Sequence, residues 1–111
     1  KAPSQEEMKP VFRRASADSD IQNAVDYYLM EADHMVDPFL LALQKAVQHI
    51  ERHPATGSPK YAHELNIPNL RFWPLTRFPY LLLYIDNEAF VDLIHLTHMG
   101  RDIPASLQGD E

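Results

Sequence analysis

A chain of 111 residues is one domain by the usual size prior, with room for a single modest core. With 45% hydrophobic residues, 23% charged residues and no cysteine, the composition excludes a disordered chain, a disulfide framework and a thiolate metal site, and it fits a reducing cytoplasm. No apolar run approaches a membrane span, and a formal charge of −6 argues against a phosphate-neutralising face for direct nucleic-acid binding.

In chain order, residues 1–9 read as a disordered leader or upstream extension, with Met8 placed like a natural start. A single domain is expected over 10–107, and a frayed tail over 108–111. Val11 to Ala15 suits a first edge strand, because Arg13 and Arg14 put charge where an edge tolerates it. Ser16 is a natural N-cap, with Asp18 and Asp20 in the first turn of the helix it would open. Ile21, Ala24, Val25, Tyr28, Leu29 and Ala32 then fall on one helical stripe. Asp33-His34 interrupts it. A second helix is expected from Asp37 as N-cap and Pro38 at its first position. Its stripe is Phe39, Leu40, Leu43, Ala46, Val47 and Ile50, and Pro54 ends it.

Ala55 to Asn69, punctuated by Gly57, Pro59 and Pro68, reads as a loop. Three strand-sized pieces follow: Phe72-Trp73, then Phe78 to Ile85, then Ala89 to His98, with a tight hairpin turn at Asp86-Asn87. Tyr80 to Ile85 offers no polar side to water, so it belongs mid-sheet with both faces covered. The expected fold is therefore α+β, in the order β-α-α-β-β-β. A two-helix antiparallel hairpin packs on a small, mainly antiparallel sheet of three to four strands.

Five stretches in this order carry a family resemblance. They are Asp18 to Tyr28 (DSDIQNAVDYY), Ile50 to Gly57 (IERHPATG), Leu70-Arg71, Phe78-Pro79-Tyr80 leading to Tyr84, and His98 to Pro104 (HMGRDIP). Together they resemble the ParE branch of the RelE/ParE toxins of bacterial type II toxin–antitoxin modules, over about Pro10 to Leu107. The resemblance implies a toxin that blocks growth by inhibiting DNA gyrase. It also implies neutralisation by a cognate ParD-like antitoxin, with a toxin–antitoxin hetero-oligomer as the expected assembly. The RelE branch instead cleaves messenger RNA on the ribosome. A third reading is a non-toxic module that only binds its antitoxin.

Chemistry weighs the two toxin branches. Attack by a 2′-oxygen needs a base, an acid and cations on the phosphate. Residues 55–104 supply only Lys60, Arg71, Arg77 and Arg101 against Glu64, Asp86, Glu88, Asp92 and Asp102. If the chain were an RNase, His98 or Glu64 would be the base, Arg71 and Arg101 would hold phosphate, and Tyr84 would assist. The thin positive charge favours a protein-contact toxin, with Arg71, Arg77, His98, Arg101 and Asp102 as candidate contacts to target or antitoxin. Structural roles compete: Arg71 can pair with a carboxylate, and Arg101-Asp102 can simply end the sheet. His49 and His53 share a helix face but lack a third ligand, and His95 and His98 fall on opposite strand faces. No metal and no cofactor is expected.

Overall fold

The apolar run near the end of the chain forms β3 (Tyr80–Asp86), which sits inside a four-stranded sheet with β2 (Leu70–Pro74) on one side and β4 (Val91–His98) on the other. The computed structural model describes residues 8–100. The sheet order is β1-β4-β3-β2, with β1 (Val11–Arg13) at the edge, parallel to β4, and the other pairings antiparallel. Between β1 and β2 run α1 (Ala15–Glu31), α2 (Val36–Arg52) and the short α3 (Lys60–Leu65). The crossover through α1 and α2 is what allows β1 to lie parallel to its neighbour. The α+β reading holds.

One face of the sheet carries the main core. Ala17, Ile21 and Ala24 of α1 and Phe39, Leu43, Ala46 and Ile50 of α2 pack with Leu82, Tyr84, Val91, Leu93 and Leu96. Fully burying a side chain such as Leu82 or Leu93 stabilises the fold by about 1.5–3 kcal/mol. At one end the aromatic rings close ranks: Phe39 lies 5.5 Å from Tyr28 and from Phe78, and 5.6 Å from Tyr80.

The opposite face is covered too, by an element absent from the sequence reading. Ala55 to Asn69 is not a plain loop. It contains a 3-10 turn, Pro54–Thr56, and then α3, from which Tyr61, Ala62 and Leu65 pack with Ile67 onto Leu70, Leu81 and Leu83. Six residues are too few to display helical periodicity, yet they cover the second face of β3. The expectation that Tyr80 to Ile85 has both faces covered is therefore met by three helices rather than two.

Other boundaries shift for local reasons. α1 begins at Ala15 with Arg14 as N-cap, and Ser16 lies inside the helix, donating its hydroxyl to the Ile94 carbonyl (2.6 Å). α2 begins at Val36 after a 3-10 turn, Asp33–Met35, so Asp37 and Pro38 occupy its first turn rather than its cap. Leu29 and Leu40, assigned to the apolar stripes, are exposed. The β3–β4 turn is longer than expected: Asp86 pairs with Val91, and Asn87 to Phe90 form the loop, closed by Asn87 N–H on the Phe90 carbonyl (3.0 Å). The Phe72-Trp73 strand extends to Leu70–Pro74 and so takes in Arg71.

β1 stops at Arg13, leaving the outer half of β4 without a strand on the side away from β3, and α1 seals that edge. Beyond Ser16, the Asp20 carboxylate accepts the Leu96 N–H (3.1 Å) and the His95 Nδ1–H (2.8 Å) with the same oxygen. An ionised carboxylate can only accept, which fixes the proton on His95 Nδ1. Free strand edges invite pairing with other chains. Here a helix supplies the missing hydrogen-bonding groups.

Candidate functional site

The β2–β3 turn sets one end of the sheet. Leu75 and Phe78 are buried anchors, and the Leu75 N–H bonds to the Tyr80 carbonyl (3.0 Å), which pushes Thr76 and Arg77 outward. Arg77 adopts φ 73°, the left-handed region that strains a residue bearing a β-carbon. The end of β4 is tied to this turn: His98 pairs with Tyr80, its ring lies edge-on 5.3 Å from the Tyr80 ring, and Met99 N–H bonds to the Pro79 carbonyl (2.8 Å). Gly100 N–H donates to His98 Nδ1 (3.0 Å). The neutral ring therefore carries its proton on Nε2, a donor on an exposed side chain. Behind it the Tyr80 hydroxyl bonds to Tyr28, whose own hydroxyl is held above its ordinary pKa by burial. Arg77 and His98, two of the candidate contacts, thus share one exposed end of the sheet.

Arg71 and Tyr84 are elsewhere. They face each other across β2 and β3, four residues along β3 from Tyr80, or about 13 Å at ~3.3 Å per residue. Both are engaged internally. Arg71 donates from a terminal nitrogen to the Gly57 carbonyl (2.8 Å), and its Nε stands 3.9 Å from Asp86. Asp86 in turn holds Lys9 (2.7 Å), which also donates to the Asn87 carbonyl (2.8 Å). Tyr84 is buried and donates to the Pro54 carbonyl (2.6 Å); burial pushes its hydroxyl up to about 12, with the Gly57 backbone only partly offsetting it. Such a phenol stays protonated near neutrality. Glu64 lies exposed on α3, in the layer behind the second face. Arg101 and Asp102 lie outside the described residues. The base, acid and cations that RNA cleavage would need are therefore not gathered among the described residues.

Two polar arrangements carried no sequence signal. The Asp20–His95–Leu96 seal joins positions 75 and 76 apart. The other is a stack of His49 on Trp73, ring centroids 3.9 Å apart and 15° from parallel. Thr56 Oγ donates to the His53 carbonyl (2.8 Å), so His49 Nε2–H must donate to Thr56 Oγ (2.8 Å). Burial, and secondarily the neighbouring His53 at 5.3 Å, lower the His49 pKa. That hydrogen bond leaves only Nδ1 of His49 with a free lone pair. Among the described residues no three or more His, Asp or Glu side chains are placed to hold a metal ion, and no helix is long and apolar enough to cross a membrane.

Comparison with known proteins agrees with this architecture. No curated protein sequence matches the chain. A solved structure titled "Chromosomal ParDE TA system from P. aeruginosa" superimposes with a TM-score of 0.59 at 16% identity, covering 83% of this chain and 97% of that one. At that identity the likeness speaks for the fold alone. The family described as "ParE toxin of type II toxin-antitoxin system, parDE" matches residues 11–103. That span takes in every strand and helix described above, and the chain belongs to the ParE toxin family of type II toxin–antitoxin systems.

Proposed function

We propose that this ParE-type toxin acts in the cytoplasm by binding DNA gyrase and inhibiting it, and that a ParD-like antitoxin neutralises it in a hetero-oligomeric complex. Residues 10–107 act as one domain in this reading. The observation that carries the non-enzymatic mode is the dispersal of the candidate catalytic groups. Arg71 and Tyr84 are locked into the Pro54–Gly57 turn, and His98 stands about 13 Å along the sheet from them. A toxin whose described residues assemble no acid and base works, in this reading, by occupying a target.

Arg77 and His98 are the target contacts in this reading. They are exposed at the same sheet end, and neither has a carboxylate partner among the described residues. Arg71, by contrast, acts as a structural cation. The test is supercoiling of relaxed plasmid by purified gyrase with and without the toxin. Inhibition at near-stoichiometric toxin, relieved when Arg77 and His98 are both replaced by Ala, is the expected result. Full gyrase activity at large excess of toxin would overturn the reading. So would cleavage of messenger RNA in a translating extract that His98→Ala abolishes, since that result belongs to the RelE-like mode.

A further inference from the structure

The chain's net charge has a single address. Residues 15–44 hold six acids, Asp18, Asp20, Asp26, Glu31, Asp33 and Asp37, and no Lys or Arg, while the remainder of the chain balances ten acids against ten bases. The whole formal charge of −6 therefore sits on α1, the connecting turn and the first half of α2. Asp18 pairs with Arg13 (3.2 Å) and Asp20 with His95. Among the described residues Asp26, Glu31, Asp33 and Asp37 meet no cation; Asp26 accepts only a Gln22 amide (2.9 Å).

The same stretch exposes large apolar side chains. Tyr27 is 57% exposed, Leu29 55% and Met30 83%. Single exposed apolar residues are ordinary, but three within four positions on two adjoining turns form a patch. At about 100° per residue, Met30 lies about 60° from Tyr27 and about 100° from Leu29, with Asp26 between Met30 and Leu29 and Glu31 beyond Tyr27. The buried residues Ala17, Ile21 and Ala24 occupy the other side of the helix. Met30 thus stands at the centre of the outward face, flanked by Tyr27 and Leu29 and bordered by unpaired carboxylates.

We propose that this outward face of the last two turns of α1 is the docking surface for a basic amphipathic helix of a partner protein. The partner's apolar stripe covers Met30 and Tyr27, and its Lys or Arg side chains meet Asp26, Glu31 and Asp33. Charge decides the occupant. A second copy of this chain would bring two such acidic faces together, whereas a cationic helix neutralises carboxylates that nothing in the described structure neutralises. The inference stands independently of what the toxin inhibits.

The test titrates the full chain with three fluorescent model peptides of ~18 residues, read by anisotropy. One has a Leu stripe flanked by Lys, one has the same composition scrambled, and one has the Leu stripe flanked by Glu. The Lys-flanked amphipathic peptide is expected to bind at least about tenfold more tightly than either control and to weaken as salt rises. Tyr27→Ser with Met30→Ser should lose that advantage, while Leu40→Ser with Leu41→Ser on α2 should keep it; circular dichroism confirms that each variant is folded. Equal binding of the scrambled peptide would reduce the effect to bulk charge and overturn the proposal, as would undiminished binding to the Tyr27/Met30 variant. A concentration-dependent dimer of the chain alone, abolished by the Tyr27/Met30 variant, would assign the face to a second copy instead. None of these readouts involves gyrase, so they stand or fall apart from the supercoiling result.

Discussion

A β-carbon added to Gly57 would stand 2.2 Å from the Tyr84 hydroxyl oxygen and 2.9 Å from its ring carbon Cζ. The turn after α2 and the middle of β3 therefore approach more closely than any side chain at residue 57 permits. The same contact lets Tyr84 donate to the Pro54 carbonyl and Arg71 reach the Gly57 carbonyl. Gly57 is needed for space, since its φ of −63° is open to any residue. Gly57→Ala must push the turn off β3 and is expected to cost about 1–3 kcal/mol, as overpacking does. Urea unfolding with an unchanged slope would measure it. In a Tyr84→Phe background the added cost should shrink, because the closest clashing atom is gone; strict additivity would show that the contact is not the cause.

Asp20 replaces a missing strand. Its carboxylate serves the Leu96 N–H and His95 at the part of β4 that β1 does not reach. Asp20→Ala would leave a partly buried N–H without its acceptor, at an expected cost of about 1–3 kcal/mol. Hydrogen exchange at the Leu96 amide should accelerate more than exchange at Leu93, the part of β4 that has β1 beside it. Equal acceleration at both positions would mean global destabilisation and not a lost edge seal.

How much of this was legible in the sequence depends on the range of the interaction. Tyr80 to Ile85 revealed its place because both of its faces are apolar, and that pattern is local. The α2 residues Phe39, Leu43, Ala46 and Ile50 were equally legible, since 3.6-residue spacing needs no partner to be seen. Leu29 and Leu40 fitted the same spacing but lie at the stripe margins, where periodicity cannot separate a core side chain from an exposed one. Ser16 and Asp20 looked like helix-start residues because their true partners, Ile94, His95 and Leu96, lie more than 70 positions away. α3 was hidden by length: Tyr61, Ala62 and Leu65 amount to barely more than one turn. At the candidate site, composition alone suggested contact rather than catalysis, and geometry separated Arg77 and His98 from Arg71 and Tyr84.

The His49–Trp73 stack carries a pH dependence with a definite sign. Burial and His53 hold the His49 pKa in the folded chain below its ordinary value of 6.5. Between the two values the unfolded state binds more protons, so this contribution to stability is complete above about pH 6.5 and declines as pH falls toward the folded value. Thermal midpoints should drop between about pH 7.5 and about pH 5.5, and His49→Gln should flatten that slope relative to the parent chain. Trp73 fluorescence provides a local reading, since protonating the stacked ring changes its quenching. A slope unaltered by His49→Gln would assign the pH dependence to other histidines.

Arg77 tests whether stability and function part company at the exposed sheet end. Its φ of 73° is the kind that Asn66 and Asn69 adopt at 56° and 67°, but an Arg gains no local hydrogen bond from it as Asn can. Strain of this kind costs about 1–2 kcal/mol, and glycine relieves it at a smaller entropic cost in the unfolded chain. Arg77→Gly is therefore expected to stabilise the fold by about 1 kcal/mol in urea unfolding, with the turn otherwise kept by the buried Leu75 and Phe78. If Arg77 meets the target, the same variant inhibits supercoiling less than the parent chain despite its greater stability, and Arg77→Lys, which retains charge and strain, recovers part of the inhibition. A variant that is both more stable and equally inhibitory would confine Arg77 to a strained turn with no part in the contact, leaving His98 to carry that end of the sheet.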